Sequence, residues 1–356
     1  MAATATTITA GTDIASRRIL RLALGTALSM AFSQLINWPM SFMAAVFTMF
    51  ILAVPLPAPT LKSGLKFTLA LVAPAYASVL LVPFLLHARW AGILLVVIAL
   101  FSSFYYSARG GSPVIGMFMT LGLTMVVTVG SISADIMLMV VNGIAVGALA
   151  GIAFVIIAHA LLPDFPPTTK TTAAKPPATA KPSLATARRN ALRSLAVVLP
   201  LVIIFLFSSS SAAYVVIMIK VASMGQQANS ADSRTMGREQ IESTVWGGLG
   251  AIVGFQIISI WPSLLGFSLF IGLACLIYGG RIFQGAGMHP RGAMWSYALL
   301  TMIIILTPAV TGSGDVSAAF YTRLMLFLVI AVYGTISVTV FDAFWPVKSQ
   351  AGRRSC

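Results

Sequence analysis

Residues 163–187 read PDFPPTTKTTAAKPPATAKPSLATA, running from Pro163-Asp164-Phe165-Pro166-Pro167 to Lys181-Pro182-Ser183 and Ala187. The stretch is rich in Pro, Thr, Ala and Lys inside an otherwise apolar chain. Such a composition reads as a flexible or partly extended linker. It divides the chain into a part from residue 17 to 162 and a part from 188 to 346. How each flank is read decides the fold.

Both flanks are series of apolar runs. A membrane-spanning helix needs about 20 apolar residues, with a range of about 17–25. Twelve runs qualify as candidates, near 19–37, 40–54, 65–86, 90–107, 112–130 and 135–161 before the linker. After it they lie near 191–209, 211–225, 241–260, 263–279, 292–310 and 317–344. Tight turns separate some of them. Asn37-Trp38-Pro39 joins the first two and Trp261-Pro262 joins the ninth and tenth. Pro suits the first turn of a new helix, and Trp suits a membrane–water interface. The composition agrees: 58% of the 356 residues are hydrophobic and 8% charged. A soluble globular chain carries roughly 25% charged residues. The expected fold class is an all-α integral membrane protein.

The formal charge of +14 could suggest nucleic acid on a soluble protein. Here its distribution states an orientation. With the N-terminus in the cytoplasm, of the 22 Lys and Arg only Arg89 and Arg323 fall on the far side, while Asp135 and Asp315 both do. The positive-inside rule therefore predicts cytoplasmic termini and an even number of spans. Residues 1–16 hold no Lys or Arg, and no small-residue cleavage site follows the first apolar run, so that run reads as a retained span. Cys275 and Cys356 cannot form a disulfide framework.

The two parts look alike. Arg18-Ile19-Leu20-Arg21 opens one and Arg189-Asn190-Ala191-Leu192-Arg193 the other. One Asp precedes each sixth span, and Leu162-Pro163 and Trp345-Pro346 close them. Six spans per part keep both in the same orientation, which predicts two parallel six-helix repeats.

These features resemble the fusaric-acid-resistance-like superfamily of aromatic acid exporters. The residues that carry the resemblance are Arg18-Ile19-Leu20-Arg21 with the run after it, Trp38-Pro39, and a second span ending at Pro55. In the second part they are Arg238-Glu239-Gln240-Ile241-Glu242-Ser243-Thr244, leading into Gly247-Gly248, Gly250 and Gly254. Larger members carry big cytoplasmic domains after each membrane half. This chain has only the short linker, so it resembles a short twelve-span branch. The resemblance implies a multi-pass protein of the bacterial inner membrane that exports small aromatic or anionic compounds. It also implies a periplasmic adaptor of the membrane-fusion type as partner. Distant plant relatives of that superfamily are anion channels, so a passive anion channel is the alternative reading.

Several residues could carry function. Lys220 sits inside an apolar run, where a Lys costs roughly 2.5–3.5 kcal/mol on insertion scales. It either lines a cavity as a counter-charge for an anion or snorkels to the cytoplasmic surface. The second and eighth spans are both short, and matching short segments in two repeats point to a transporter's binding site. Arg21 and Arg193, one turn inside their spans, could attract carboxylates or simply anchor the helices. Residues 226–242 read as the most polar loop. Within it Glu239 and Glu242 share a helix face at the start of the ninth span, and Glu242 is the first candidate for proton coupling. Asp342 is another, because it aligns with His159 when Pro163 and Pro346 are superposed. Arg323 could pair with Asp135 or Asp315. Gly143, Gly147 and Gly151, and Gly250 with Gly254, read as close-packing faces. Pro74, Pro83, Pro200 and Pro308 should bend helices.

Other chemistry lacks its residues. His87, His159 and His289 have no Cys or carboxylate at metal-ligand spacing. There is no G-x-x-x-x-G-K-[ST] and no G-x-S-x-G. No cofactor is expected, nucleic acid is not an expected partner, and no enzyme is expected. An integral-membrane lipid-modifying enzyme would need a polar cluster in the membrane. The expected partners are a small-molecule substrate, the lipid bilayer and the adaptor, with room for a homo-oligomer.

Overall fold

In a computed structural model, the described residues are 2–38, 40–164, 182–207, 213–230, 233–285, 287–311 and 316–345. They are almost wholly helical. The first part comprises α1 (Ala2–Ile36), α2 (Phe42–Leu52), α3 (Leu61–Val79), α4 (Val82–His87), α5 (Arg89–Ala108), α6 (Pro113–Gly130) and α7 (Ala134–Leu161). The second comprises α8 (Leu184–Phe207), α9 (Ala213–Ser230), α10 (Ser233–Ile260), α11 (Leu264–Ile282), α12 (Gly292–Thr311) and α13 (Val316–Phe344). Between α11 and α12, β1 (Phe283–Gln284) pairs antiparallel with β2 (Gly287–Met288).

Local signals set the helix starts. The side chains of Thr60, Ser133 and Ser263 accept backbone N–H groups of Ser63, Ile136 and Gly266 at α3, α7 and α11. Pro113 and Pro83 occupy first turns of α6 and α4, where no N–H is needed. Pro74, Pro200 and Pro308 lie inside α3, α8 and α12.

Among the described residues, eight helices are long and apolar enough to cross a membrane, and three shorter apolar helices accompany them. Outward faces carry large apolar side chains at helical spacing. Leu61, Leu65 and Leu69 on α3, and Leu265, Leu269, Leu273 and Ile277 on α11, are all exposed. Water would penalise such stripes, whereas lipid matches them. The chain is thus an all-α, multi-pass membrane protein.

The helix contacts follow an exchange between the two parts. α1 packs on α2, α7 and α11, while α8 packs on α9, α13 and α5. α3 packs on α6 and α7, and α10 on α12 and α13. α6 packs on α9, and α12 on α2. The fourth span of each part thereby leans on the first span of the other.

α2 and the middle of α9 are buried on every side. Every residue of α2 is buried, as is every residue of α9 from Ile217 to Gln227. A helix apolar all round belongs in an interior. α2 is about 16 Å long at 1.5 Å per residue, against a hydrocarbon core of about 30 Å. Phe47 and Phe50 of α2 meet Phe118 of α6 at 4.3 and 5.7 Å, and Phe50 meets Tyr297 of α12 at 5.8 Å. Glycines on α7 allow the approach. A Cβ on Gly147 would stand 2.7 Å from the Met43 Cβ, and one on Gly151 2.7 Å from the Phe47 Cβ. On α13, Gly334 gives the same room to Met224 of α9.

Two expectations are corrected. Residues 226–242 are not a loop: α9 runs on to Ser230 and α10 starts at Ser233, leaving only 231 and 232 outside the described residues. Gln, Ala, Arg and Glu are serviceable helix formers, and no Pro interrupts them. Gly225 and Gly237 are spent on close contacts with Phe104 and Thr335. The linker is shorter than expected, because Ser183 accepts the Thr186 N–H at 3.2 Å and opens α8 at Leu184. The run near 65–86 lies within one candidate span, Leu61–His87, with a turn at Leu80-Leu81 between α3 and α4. Most of the linker, Asp315 and Pro346 lie outside the described residues.

Candidate functional site

The site is built on α9, whose buried stretch carries polar side chains among apolar ones. Lys220 is 2% exposed, as deep as the neighbouring Met218 and Ile219. It stands seven residues after Ala213 and ten before Ser230, the two ends of α9. Its ammonium stays inside the protein and donates to the Thr301 hydroxyl at 3.4 Å. Thr301 lies nine residues into α12. No carboxylate lies within ion-pair distance of Lys220 among the described residues. Gly247 of α10 keeps this place tight, since a Cβ there would meet the Ala298 carbonyl at 2.5 Å and Thr301 at 2.7 Å.

Nearer the C-terminal end of α9, Gln226 donates to the Thr120 hydroxyl at 3.0 Å. Thr120 shares a hydrogen bond of 2.9 Å with Ser103 and donates to the Gly116 carbonyl at 3.0 Å. Side chains of α5, α6 and α9 thus form one polar string. On α10, Gln240 is fully buried, and neither atom of its amide has a hydrogen-bond partner among the described residues. Burying an unpaired amide costs free energy, so folds rarely keep one without a use.

The carboxylates lie on the flank of this region. Glu242 receives Arg238, one turn before it, at 2.6 Å, and also Arg291 from the start of α12. Glu239 is half-buried and stands in the fields of Arg291 and Tyr297. Asp342 accepts Arg189 at 2.6 Å and Arg193 at 3.3 Å.

The two arginines at the span starts are drawn to helix ends. Arg21 is buried, donates to the Leu162 carbonyl at 2.6 Å and meets Asp164 at 2.5 Å. Arg17 donates to the Pro163 carbonyl at 2.6 Å. Arg189 donates to the Trp345 carbonyl at 2.6 Å in the second part. Cations at helix C-termini satisfy orphan carbonyls and the helix dipole. Arg21 therefore fastens α1 to the end of α7, and Arg193 fastens α8 to α13. Arg18, Arg21 and His159 also line one small cleft beside Leu52, at the end of α2.

The expected residues do not form one cluster. Lys220 stands inside, Glu239 and Glu242 surround Arg291, and Asp342 joins Arg193. Arg323 has no ion pair among the described residues, and Asp315 lies outside them. Sequence reading missed Thr120, Ser103, Gln240 and Thr301. Each is a common polar residue on an apolar helix, with nothing local to set it apart.

Long apolar helices and exposed apolar stripes define a polytopic α-helical membrane protein, with buried polar side chains on α5, α6, α9, α10 and α12. A model of the family described as "Protein of unknown function (DUF2955)" matches residues 18–158. That span begins on α1 and ends on α7, one turn before the linker. No curated protein and no solved structure matches the chain.

Proposed function

We propose that this chain is a secondary efflux transporter of a bacterial inner membrane, exporting small anionic or aromatic compounds. Its twelve spans form two parallel six-helix repeats with both termini cytoplasmic. The exchange-related helix contacts support the repeat, as does the family match that stops at the end of the first part. The observation that carries the functional reading is Lys220: an ammonium enclosed by protein, next to Thr301 and without an acidic partner among the described residues. Ionisable groups so enclosed in a membrane protein face an interior pathway or a counter-ion. An anionic substrate supplies the counter-ion. Arg21 and Arg193 hold the cytoplasmic mouth in shape and lend it positive potential.

In this reading proton coupling falls to the carboxylates held by arginines, Glu242, Asp342 and Glu239. Protonation of Glu242 would release Arg291 and Arg238, and that is a charge change able to bias a helix movement. A periplasmic membrane-fusion adaptor would carry the substrate onward. The second reading is a passive anion channel, favoured by the absence of a carboxylate beside Lys220 among the described residues. Reconstituted vesicles loaded with a labelled aromatic carboxylate separate the two. Flux that rises with an imposed pH gradient, and loses that response in Glu242→Gln or Asp342→Asn, supports coupling. Flux indifferent to the gradient supports the channel. No flux of any anion overturns both.

A further inference from the structure

A second feature lies on the outer surface, away from Lys220. α10 and α11 diverge over α12 and leave a cavity of about 320 Å³ that opens sideways. Its walls are membrane-facing: Leu249, Val253 and Ile257 of α10 and Leu273 and Ile277 of α11 are all exposed. From Trp246 to Ile257 the groove runs eleven residues, about 16 Å. That is close to half of the roughly 30 Å hydrocarbon core, the depth of one leaflet.

One end of the groove is chemically different. Trp246, Trp295 and Tyr278 meet there, with ring centroids 5.6 Å apart for the two indoles and 5.9 Å for Tyr278 and Trp295. The Tyr278 hydroxyl donates to the Trp246 carbonyl at 2.7 Å and fixes the cluster. Such rings belong at the headgroup level. Arg281, exposed in the last turn of α11, lies over the Trp295 ring at 4.7 Å. No carboxylate pairs with it among the described residues. Stacking on the indole orients the guanidinium while leaving its N–H fork available to an anion.

We propose that this groove is a binding site for an anionic phospholipid of the adjacent leaflet. One acyl chain lies between α10 and α11, and the phosphate rests on Arg281. The apolar walls, the one-leaflet length and the single oriented cation at the headgroup end together specify that ligand. A zwitterionic lipid would bring a second, repelled positive charge to Arg281. This site is independent of the transport reading.

The test uses the full chain with Trp38, Trp90, Trp261 and Trp345 changed to Phe, so that Trp246 and Trp295 report. It is reconstituted in phosphatidylcholine vesicles containing a small, equal fraction of either phosphatidylglycerol or phosphatidylcholine with brominated acyl chains. The brominated anionic lipid is expected to quench about fivefold more effectively, the bias one basic residue gives. Arg281→Gln should remove the preference. Val253→Phe, which keeps the charge and fills the groove, should lower quenching by the anionic lipid. Equal quenching by both lipids in the parent overturns the site and leaves ordinary annular lipid. A preference that survives either variant in folded protein also overturns it.

Discussion

Replacing Lys220 by Met separates a structural lysine from a working one. The two side chains are similar in length, so the packing around this buried position beside Thr301 is largely kept. What goes is a buried charge whose hydrogen bond inside the described fold is a 3.4 Å contact to a hydroxyl. A central Lys costs roughly 2.5–3.5 kcal/mol on insertion scales, and a long hydrogen bond to a neutral group returns about 1 kcal/mol at most. Lys220→Met should therefore leave the protein as stable as the parent or stabilise it by up to about 1.5–2.5 kcal/mol. Transport should move the other way. A hydrogen bond to a charged group contributes about 1.5–3 kcal/mol, so anion flux should fall about ten- to 150-fold. Thermal unfolding in detergent gives the first quantity, and uptake of a labelled aromatic carboxylate into vesicles gives the second. A variant that unfolds more easily yet transports normally would refute the reasoning, because Lys220 would then hold the fold and not the substrate.

Gly151→Ala places a methyl 2.7 Å from the Phe47 Cβ and 3.3 Å from the Ala44 carbonyl, so it should cost about 1–3 kcal/mol in unfolding measurements. An unchanged midpoint would mean that α2 and α7 are not in close contact. Asp342→Asn removes the partner of Arg189 and of the buried Arg193, and should destabilise by about 1.5–3 kcal/mol in the same assay. No loss would show that these ion pairs do not hold the end of α13. In a Cys275→Ala, Cys356→Ser background, Ser133→Cys should react with an impermeant maleimide added outside intact cells. Ser183→Cys should react only after permeabilisation, and the reverse pattern would invert the orientation.

Much of the architecture was legible because lipid leaves few choices. Backbone polar groups must be satisfied within the span, so each long apolar run had to be a helix. The runs near 90–107, 112–130, 135–161 and 292–310 fall within a few residues of α5, α6, α7 and α12. Prolines and capping residues marked the turns. The failures came where polarity and helix were taken as opposites. Gln226, Gln227 and Gln240 looked like solvated loop residues, yet all three are buried on helices. Their environment is made by α5, α6, α12 and α13, far away in the chain, and no local pattern reports it. The burial of Lys220 was hidden for the same reason: the helix continues past residue 225 to Ser230, and Thr301 comes from α12. The partners of Arg21, Leu162 and Asp164, lie 141 and 143 residues away. Burial of a charged anchor against such partners follows from tertiary packing, not from spacing.

The enclosure of α2 and α9 has a consequence for how such a protein can change. Lipid polices the outer helices, since any polar substitution there meets hydrocarbon. It has no such hold over α2 or over Ile217–Gln227 of α9, which are buried throughout. If the proposed transport holds, selection for membrane fit and selection for cargo act on different residues. A new charge, amide or aromatic ring on α9 alters what the interior recognises without altering how the protein sits in its bilayer. Related chains could diverge widely in what they carry while presenting nearly the same face to the membrane.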